Sequence, residues 1–299
     1  MKVLFPTTFE KFSFGILKEI IKLKETGLEE VIFLYVVELE KVIVPKTGEL
    51  LESELEKEKK RAEEGFRKWQ LLLEEYGVKA KYYVKLGKAV EKILETAIKE
   101  DVELVILGHK KRKSFLGILF SGLGSTALTF LKVTAFPVLV FPSTFKEHEK
   151  ISIFEKIEVA TDLSKNSFRT LEYILKFKPL IEKIVVSHVL KDKDKKVEVE
   201  EKLQKIVEQL KTAGIKEATY KLIEHQEPAD AILEAAQEEN ANLLAMGIIG
   251  THEEERMKYN LFWFGSVAQK VTDDADIPVL LVPPERETEK IKEMLKNGE

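Results

Sequence analysis

Two stretches of this chain follow one plan. Between Leu243 and Val282 an apolar run, Leu243 to Met246, breaks at Gly247, Ile248, Ile249 and Gly250. Gly265-Ser266 then opens a helical pattern, and Ile277-Pro278 opens a second apolar run. Between Leu104 and Val140 the plan recurs: Gly108 matches Gly247, Gly124-Ser125 match Gly265-Ser266, and Pro137 matches Pro278. Thirteen residues separate glycine from proline in both stretches, and Ile93 and Ile232 each precede the first glycine by fifteen. A duplication that keeps register over helix, strand and turn requires two halves that fold alike. The 139 residues from Gly108 to Gly247 make each half the size of an ordinary domain. The copies are unequal, because Lys111 stands where Gly250 stands.

The physical reading of the plan is a buried strand, a turn where backbone approaches something closely, and a helix whose first turn presents N–H groups. Glycine supplies both unusual dihedrals and missing bulk. N–H groups at a helix start, with the helix dipole, make an anion seat, so phosphate is the expected guest.

Strand and helix patterns alternate through both halves. In the first, Lys2 to Phe5, Val31 to Val37, Val78 to Leu86 and Glu103 to Leu107 read as strands. Helical spacing runs through Phe12, Ile16, Ile20 and Leu23 to a cap at Gly27, then in a long charged helix to Tyr76 and from Lys88 to Lys99. In the second, strands are expected at Lys156 to Ala160, Lys183 to Val189 and Glu217 to Ile223. Helices are expected at Phe168 to Phe177, stopped before Pro179, at Val197 to Ala213, ended by Gly214, and from Pro228 to Asn240. Strands too uniformly apolar for a sheet with one wet face argue α/β architecture with a doubly wound parallel sheet, ligands lying beyond the strand C-termini. The expected organisation is one domain over residues 1–143, a second over 152–284, Phe141 to Glu155 as linker, and a charged tail over 285–299.

Composition narrows the function classes. Charged residues make up 33% of the chain, yet the net charge is only −4, so there is no nucleic-acid or membrane footprint. High Lys plus Glu fits a thermophile. With no cysteine, disulfides, thiol catalysis and cysteine metal sites are ruled out. No apolar run is long enough to cross a bilayer, and the start, "MKVLFPTTF", is unlike a signal peptide, so a cytoplasmic location is expected.

The glycine turn, the Gly-Ser helix start and the Pro-led final strand resemble the nucleotide-binding segment of the universal stress protein family. The likeness spans Lys2 to Val282, with a spacer between Gly250 and Gly265 about five residues longer than the family's. The resemblance implies two five-stranded sandwiches of the adenine-nucleotide α-hydrolase-like type, strand order 3-2-1-4-5. It implies ATP, with Mg²⁺ as an option, held by the second half. Asp162, in "VATDLS", takes the place of the acid that meets adenosine, and Val189 that of the residue whose backbone contacts adenine. Met246 and Gly247 flank adenosine, and Gly250, Gly265, Ser266 and Val267 take the phosphate positions. Read from the residues alone, Asp162 is a helix cap, Val189 a strand valine, Met246 a core residue and Gly247 a turn glycine. In the first half Val36 matches Val189, but Lys111 adds a side chain where backbone should touch phosphate and Thr8 replaces the acid, so family-like binding is not expected there.

Other residues carry less. His109, His148, His188, His225 and His252 show no ligand spacing, and no GxSxG elbow, GxxxxGK[ST] loop or dinucleotide fingerprint occurs, so no metal catalysis is expected. The basic run Lys110, Lys111, Arg112, Lys113 reads as a solvated loop. His252 with Glu253, Glu254 and Glu255 would oppose a phosphate unless Mg²⁺, Arg256 or Lys258 offset them. Phe115, Leu116, Ile118, Leu119 and Phe120, and Leu261, Phe262, Trp263 and Phe264, are too apolar for bare loops and read as packing. No evident general base is present, so at most slow ATP hydrolysis is expected. The competing readings are a nucleotide-free interaction module and a nucleotidyl transferase; the latter wants an HxGH or SGGxDS motif, and neither occurs. A homodimer and an unknown protein partner remain open.

Overall fold

A computed structural model describes residues 1–9, 13–42, 51–109, 112–113, 119–120, 124–147, 151–191, 195–250 and 264–284. In the first half, β1 (Lys2–Pro6) leads to α1 (Ser13–Lys22) and a 3-10 turn, Leu23–Thr26. Next come β2 (Glu30–Val37), the short α2 (Leu39–Val42), α3 (Glu52–Glu75), β3 (Lys79–Leu86), α4 (Ala89–Glu100) and β4 (Leu104–His109). A two-residue ribbon, β5 (Arg112–Lys113) with β6 (Leu119–Phe120), precedes α5 (Ser125–Val133) and β7 (Val138–Pro142).

The second half repeats the order: β8 (Lys156–Ala160), α6 (Lys165–Ile174), a 3-10 turn at Leu175–Leu180, β9 (Lys183–Leu190), α7 (Lys196–Thr212), β10 (Glu217–Glu224), α8 (Pro228–Glu238), β11 (Leu243–Gly247), α9 (Ser266–Asp274) and β12 (Val279–Val282). The helix expected to stop before Pro179 ends at Ile174, and the chain continues through Pro179 as 3-10. Pro179 has no N–H for an i→i−4 bond and its ring would clash with the preceding turn, so an α-helix could not run on through it.

The strands run β10-β9-β8-β11-β12-β7-β4-β1-β2-β3 in one ten-stranded sheet, so each half has the order 3-2-1-4-5. In this sheet every pairing within a half is parallel. The halves meet where β12 pairs antiparallel with β7, Leu280 facing Leu139. The two sets of strands therefore run in opposite directions, and their C-terminal ends lie at opposite ends of the sheet.

Apolar strands are required because helices cover both faces. One core joins Val3, Phe5 and Phe33 to Ile16, Phe66 and Trp69, and Ile157 and Val159 to Ile174, Leu203 and Ile206. The other joins Leu4 and Ile32 to Ile93 and Phe130, and Ala160 and Leu244 to Ile232 and Val271. Each large apolar side chain withdrawn from water contributes about 1.5–3 kcal/mol. The expected linker is partly structure: Phe141 and Pro142 end β7, and Phe154, fully buried, stacks on Phe177 with ring centroids 4.2 Å apart. Glu19 of α1 accepts from Ile153 N at 3.2 Å, while Tyr173 of α6 donates to Glu103 O at 2.7 Å, so each half grips the other's approach. Among the described residues no helix is long and apolar enough to cross a membrane. Residues 285–299, and with them the expected charged tail, lie outside the described residues.

Candidate functional site

The loop after each first strand is the same structure down to single hydrogen bonds. Thr7 N donates to Leu34 O and Thr161 N to Ser187 O, both at 2.9 Å. Phe9 N donates to Thr7 Oγ1 and Leu163 N to Thr161 Oγ1, both at 3.0 Å. Thr7 and Thr161 then bond Ser13 and Ser167 in turn. Phe9 and Leu163 share a left-handed backbone, with φ of 60° and 62°. This registers Thr8 against Asp162, Leu34 against Ser187 and Val36 against Val189.

In the second half all eight expected site residues line one cavity of about 560 Å³ over the C-terminal ends of β8, β9 and β11. They are Asp162, Val189, Met246, Gly247, Gly250, Gly265, Ser266 and Val267; Ser187, His188, Lys191 and Lys195 join them. The position is the switch point of the sheet, where strand order reverses between β8 and β11. The equivalent cavity of the first half measures about 210 Å³. It is lined by Thr7, Thr8, Val36, Glu38, Gly108 and Thr126 among others, with Glu38 at the place of Lys191.

The glycines act by absence of bulk. A Cβ at Gly250 would stand 2.9 Å from Asp162 Oδ2, and one at Gly247 would stand 2.3 Å from Asn166 Nδ2. The expected unusual dihedrals do not occur there: the positive-φ glycines among the described residues are Gly27, Gly77, Gly87 and Gly214, which serve turns and helix ends. Gly265 corrects the sequence reading in a second way. Its N–H, expected to face a phosphate, donates to Ile248 O at 2.9 Å, so its part is to leave space and to start α9. As N-cap it offers no side-chain acceptor to the first turn of α9, at the cavity wall lined by Ser266 and Val267.

Asp162 is not itself the helix cap. Ser164 is, accepting from Ser167 N at 3.2 Å, while Asp162 Oδ1 accepts from Ser164 N at 3.0 Å. Sequence reasoning missed Asn166. Its buried amide donates to Ile249 O at 3.1 Å and Val282 O at 3.3 Å, tying the glycine turn to the end of β12. The available signal was an amide on the apolar side of an amphipathic helix, at the place where the first half has Phe12.

It also missed a buried pair. Glu158, fully buried in β8, accepts from Ser187 Oγ at 2.7 Å through Oε1, and Oε2 has no hydrogen-bond partner among the described residues. Burial pushes its carboxyl up to about 7, against the pull of the Ser187 hydrogen bond and the Lys221 charge. The signal was a lone acid inside the apolar strand "KIEVA", where the first strand of the chain reads "KVLFP".

His188 Nδ1 lies 2.8 Å from Thr161 O, which can only accept, so Nδ1 carries the proton. Burial lowers its pKa below the usual histidine value, and the ring is neutral at pH 7 with Nε2 as acceptor. Among the described residues no group of three or more His, Asp or Glu side chains could hold a metal. Phe264 is buried, in line with a packing role. Lys110, Lys111, Phe115, Leu116, Ile118, His148, His252, Glu253, Glu254, Glu255, Arg256, Lys258, Leu261, Phe262 and Trp263 lie outside the described residues.

Comparison with solved structures places this geometry among relatives. A universal stress protein from Archaeoglobus fulgidus DSM 4304 is 25% identical over 94% of this chain and 98% of its own, with a TM-score of 0.72. A functionally unknown protein from Pseudomonas aeruginosa PAO1 is 14% identical over 99% of this chain and 97% of its own, with a TM-score of 0.66, and shows the same fold. A universal stress protein from Archaeoglobus fulgidus in complex with dAMP is 27% identical, covering 44% of this chain and 98% of that one at a TM-score of 0.35. Comparison with curated proteins finds no match. The model of the universal stress protein family matches twice, over residues 1–142 and 154–283, so the chain belongs to that family as a tandem of two repeats.

Proposed function

We propose that the second repeat holds an adenine nucleotide of the ATP class as a regulatory ligand, and that the first repeat does not. The observation that carries this reading is the difference between the two equivalent cavities. That of the second repeat, about 560 Å³, lies within the roughly 300–1,000 Å³ usual for small-molecule sites; that of the first, about 210 Å³, lies below it.

Asp162 and Val189 stand where adenosine is expected. Gly250 and the start of α9 at Ser266 and Val267 stand where phosphates would meet backbone and helix dipole. The close approach at Gly250 supports this assignment, since a side chain there would occupy the space beside Asp162. Lys191 and Lys195 add positive charge at the cavity rim, where Glu38 gives the first repeat a negative one. If Mg²⁺ accompanies the nucleotide, Asp162 is the lining carboxylate able to meet it, the remaining ligands being phosphate oxygens and water.

A regulatory rather than chemical role fits the same geometry. The neutral His188 stands over β9, two strands and roughly 10 Å from the phosphate end over β11, too far to activate an attacking water directly. The protein then acts in the cytoplasm by presenting a nucleotide-filled or empty surface to a partner. Calorimetric titration of ATP with Mg²⁺ into the wild type and Gly250→Lys tests the reading. One site per chain is expected in the wild type and none in the variant. Two sites, or unchanged binding in the variant, would refute it.

A further inference from the structure

The strand registers place Glu158 and Ser187 below one part of the cavity wall. The Cα partner of Glu158 on β9 is Val185, two residues before Ser187, so the glutamate side chain leans along the sheet toward the strand C-termini to reach Ser187 Oγ. Ala160, two residues further along the same face of β8, is small and lines the cavity, as does Ser187 itself. In the first repeat the same two places hold Leu4 and Leu34, both fully buried. Replacing two leucines by an acid and a hydroxyl in a sheet interior sacrifices apolar burial. The change occurs only in the repeat with the large cavity.

The chemistry of the pair is directional. An ionised carboxylate only accepts, so the single hydroxyl hydrogen of Ser187 is committed to Glu158, and what remains on Oγ is lone pairs. We infer that Ser187, oriented by Glu158, is a hydrogen-bond acceptor in the wall of the second-repeat cavity that selects a purine carrying an exocyclic amino group. The inference rests on the reading of that cavity as an adenine-nucleotide site. Ser187 and Val189 belong to β9, two strands from the glycine turn after β11, and so to the end of the cavity away from the phosphate positions. A base seated there that lacks the amino donor leaves a buried acceptor unpaired, the situation in which binding sites discriminate most strongly.

Protonation of Glu158 reverses the polarity. The protonated carboxyl donates to Ser187, whose own hydrogen is then free to turn away. Three other charged groups act on the carboxyl: Lys221 of β10, which pairs with Glu238 and Glu239, and those two glutamates at the end of α8. Because burial holds the carboxyl up at about 7, the reversal falls in an accessible pH range.

The test is calorimetric titration of the 299-residue chain at pH 8 with ATP and with purine riboside triphosphate, which carries hydrogen in place of the amino group. ATP is expected to bind the wild type about tenfold more tightly. In Ser187→Ala the ratio falls to about two or less, and in Glu158→Leu it falls as well because the hydroxyl is no longer held. At pH 5.5 the wild-type ratio moves toward one. General damage to the fold would weaken both ligands together and leave the ratio alone. Equal wild-type affinities at pH 8, or an unchanged ratio in Ser187→Ala, overturn the inference while the nucleotide site stands. If neither ligand binds the wild type, the nucleotide reading fails and the inference falls with it.

Discussion

The two repeats share their backbone and differ in what lines the hollow above it. Both first loops make the same bonds, Thr7 to Leu34 and Thr161 to Ser187, and both turn at a residue with φ near 60°. Against that common frame the cavity residues diverge. Asp162 takes the place of Thr8, Ser187 that of Leu34, Glu158 that of Leu4 and Lys191 that of Glu38. The first repeat has instead spent its side chains on packing. Phe9 lies 4.7 Å from Phe66 and 5.2 Å from Trp69 between ring centroids, and Gly65 of α3 is glycine where a Cβ would come within 2.5 Å of Phe9. A duplicated frame can thus pack one hollow tightly and leave the other open, because the loops are fixed by main-chain bonds and by the threonine and serine hydroxyls that both repeats share.

Several substitutions would break or sharpen this contrast. The largest effect on binding is expected from Gly250→Lys, which copies Lys111 into the second repeat. Titration should show ATP affinity falling by about a hundredfold or more, on the order of 2.7 kcal/mol. The reciprocal Lys111→Gly should create no site, since the cavity of about 210 Å³ and Thr8 remain; a second binding event would show that one residue alone separates the repeats.

Next comes pH. The folded Glu158 carboxyl titrates at about 7 against a reference of 4.5, so its contribution to stability is present below 4.5 and is lost as pH rises through 7. The difference amounts to about 3 kcal/mol. Urea unfolding at pH 5 and pH 8 should show the wild type losing stability at the higher pH, with Glu158→Gln losing much less. Equal pH dependence in the two proteins would remove the acid from the contrast with Leu4.

Smaller is the pair that shapes the turn. Gly247→Ala brings a Cβ to 2.3 Å from Asn166 Nδ2, and Asn166→Ala removes the donor to Ile249 O and one of the two donors to Val282 O, which keeps Ile248 N; each should cost about 1–3 kcal/mol in chemical denaturation. The double variant should cost less than the sum, and strict additivity would mean the contact is not what requires glycine. Smallest is Tyr173→Phe, which removes the bond to Glu103 O across the halves and should cost about 1 kcal/mol. No measurable change would mean that this bond adds nothing to the joint, leaving it to the β7–β12 pairing and the other contacts between the halves.

The fold was legible because its signals are periodic and repeated. Val31 to Val37 reads as a fully buried strand and is β2 to within one residue, and Gly27, Gly77 and Gly214 mark ends that the backbone indeed turns with positive φ. The antiparallel joint between β7 and β12 was not legible, since nothing in "PVLV" or "PVLLV" states which neighbour a terminal strand takes. At the site, positions carried by backbone spacing came together as the motif implied. Those carried by side-chain direction did not declare themselves. Asn166 and Glu158 are single polar residues in apolar patterns, and which backbone groups they serve depends on strands more than eighty residues away for Asn166 and nearly thirty for Glu158. The amide of Gly265 shows the converse: a glycine in the right place whose N–H is already spoken for by Ile248.

The joint between β7 and β12 has a further meaning for how the molecule lives at low abundance. Were the two repeats separate polypeptides, that edge would be sealed only by collision, and dilution would open it. On one chain the partner edge is held at an effective concentration set by a short tether, on the order of millimolar. The ten-stranded sheet therefore stays closed however few copies a cell contains, and its outer borders, β3 with Lys79, Lys81 and Lys85 and β10 with Glu217, Lys221 and Glu224, carry the charges that discourage a further strand from joining.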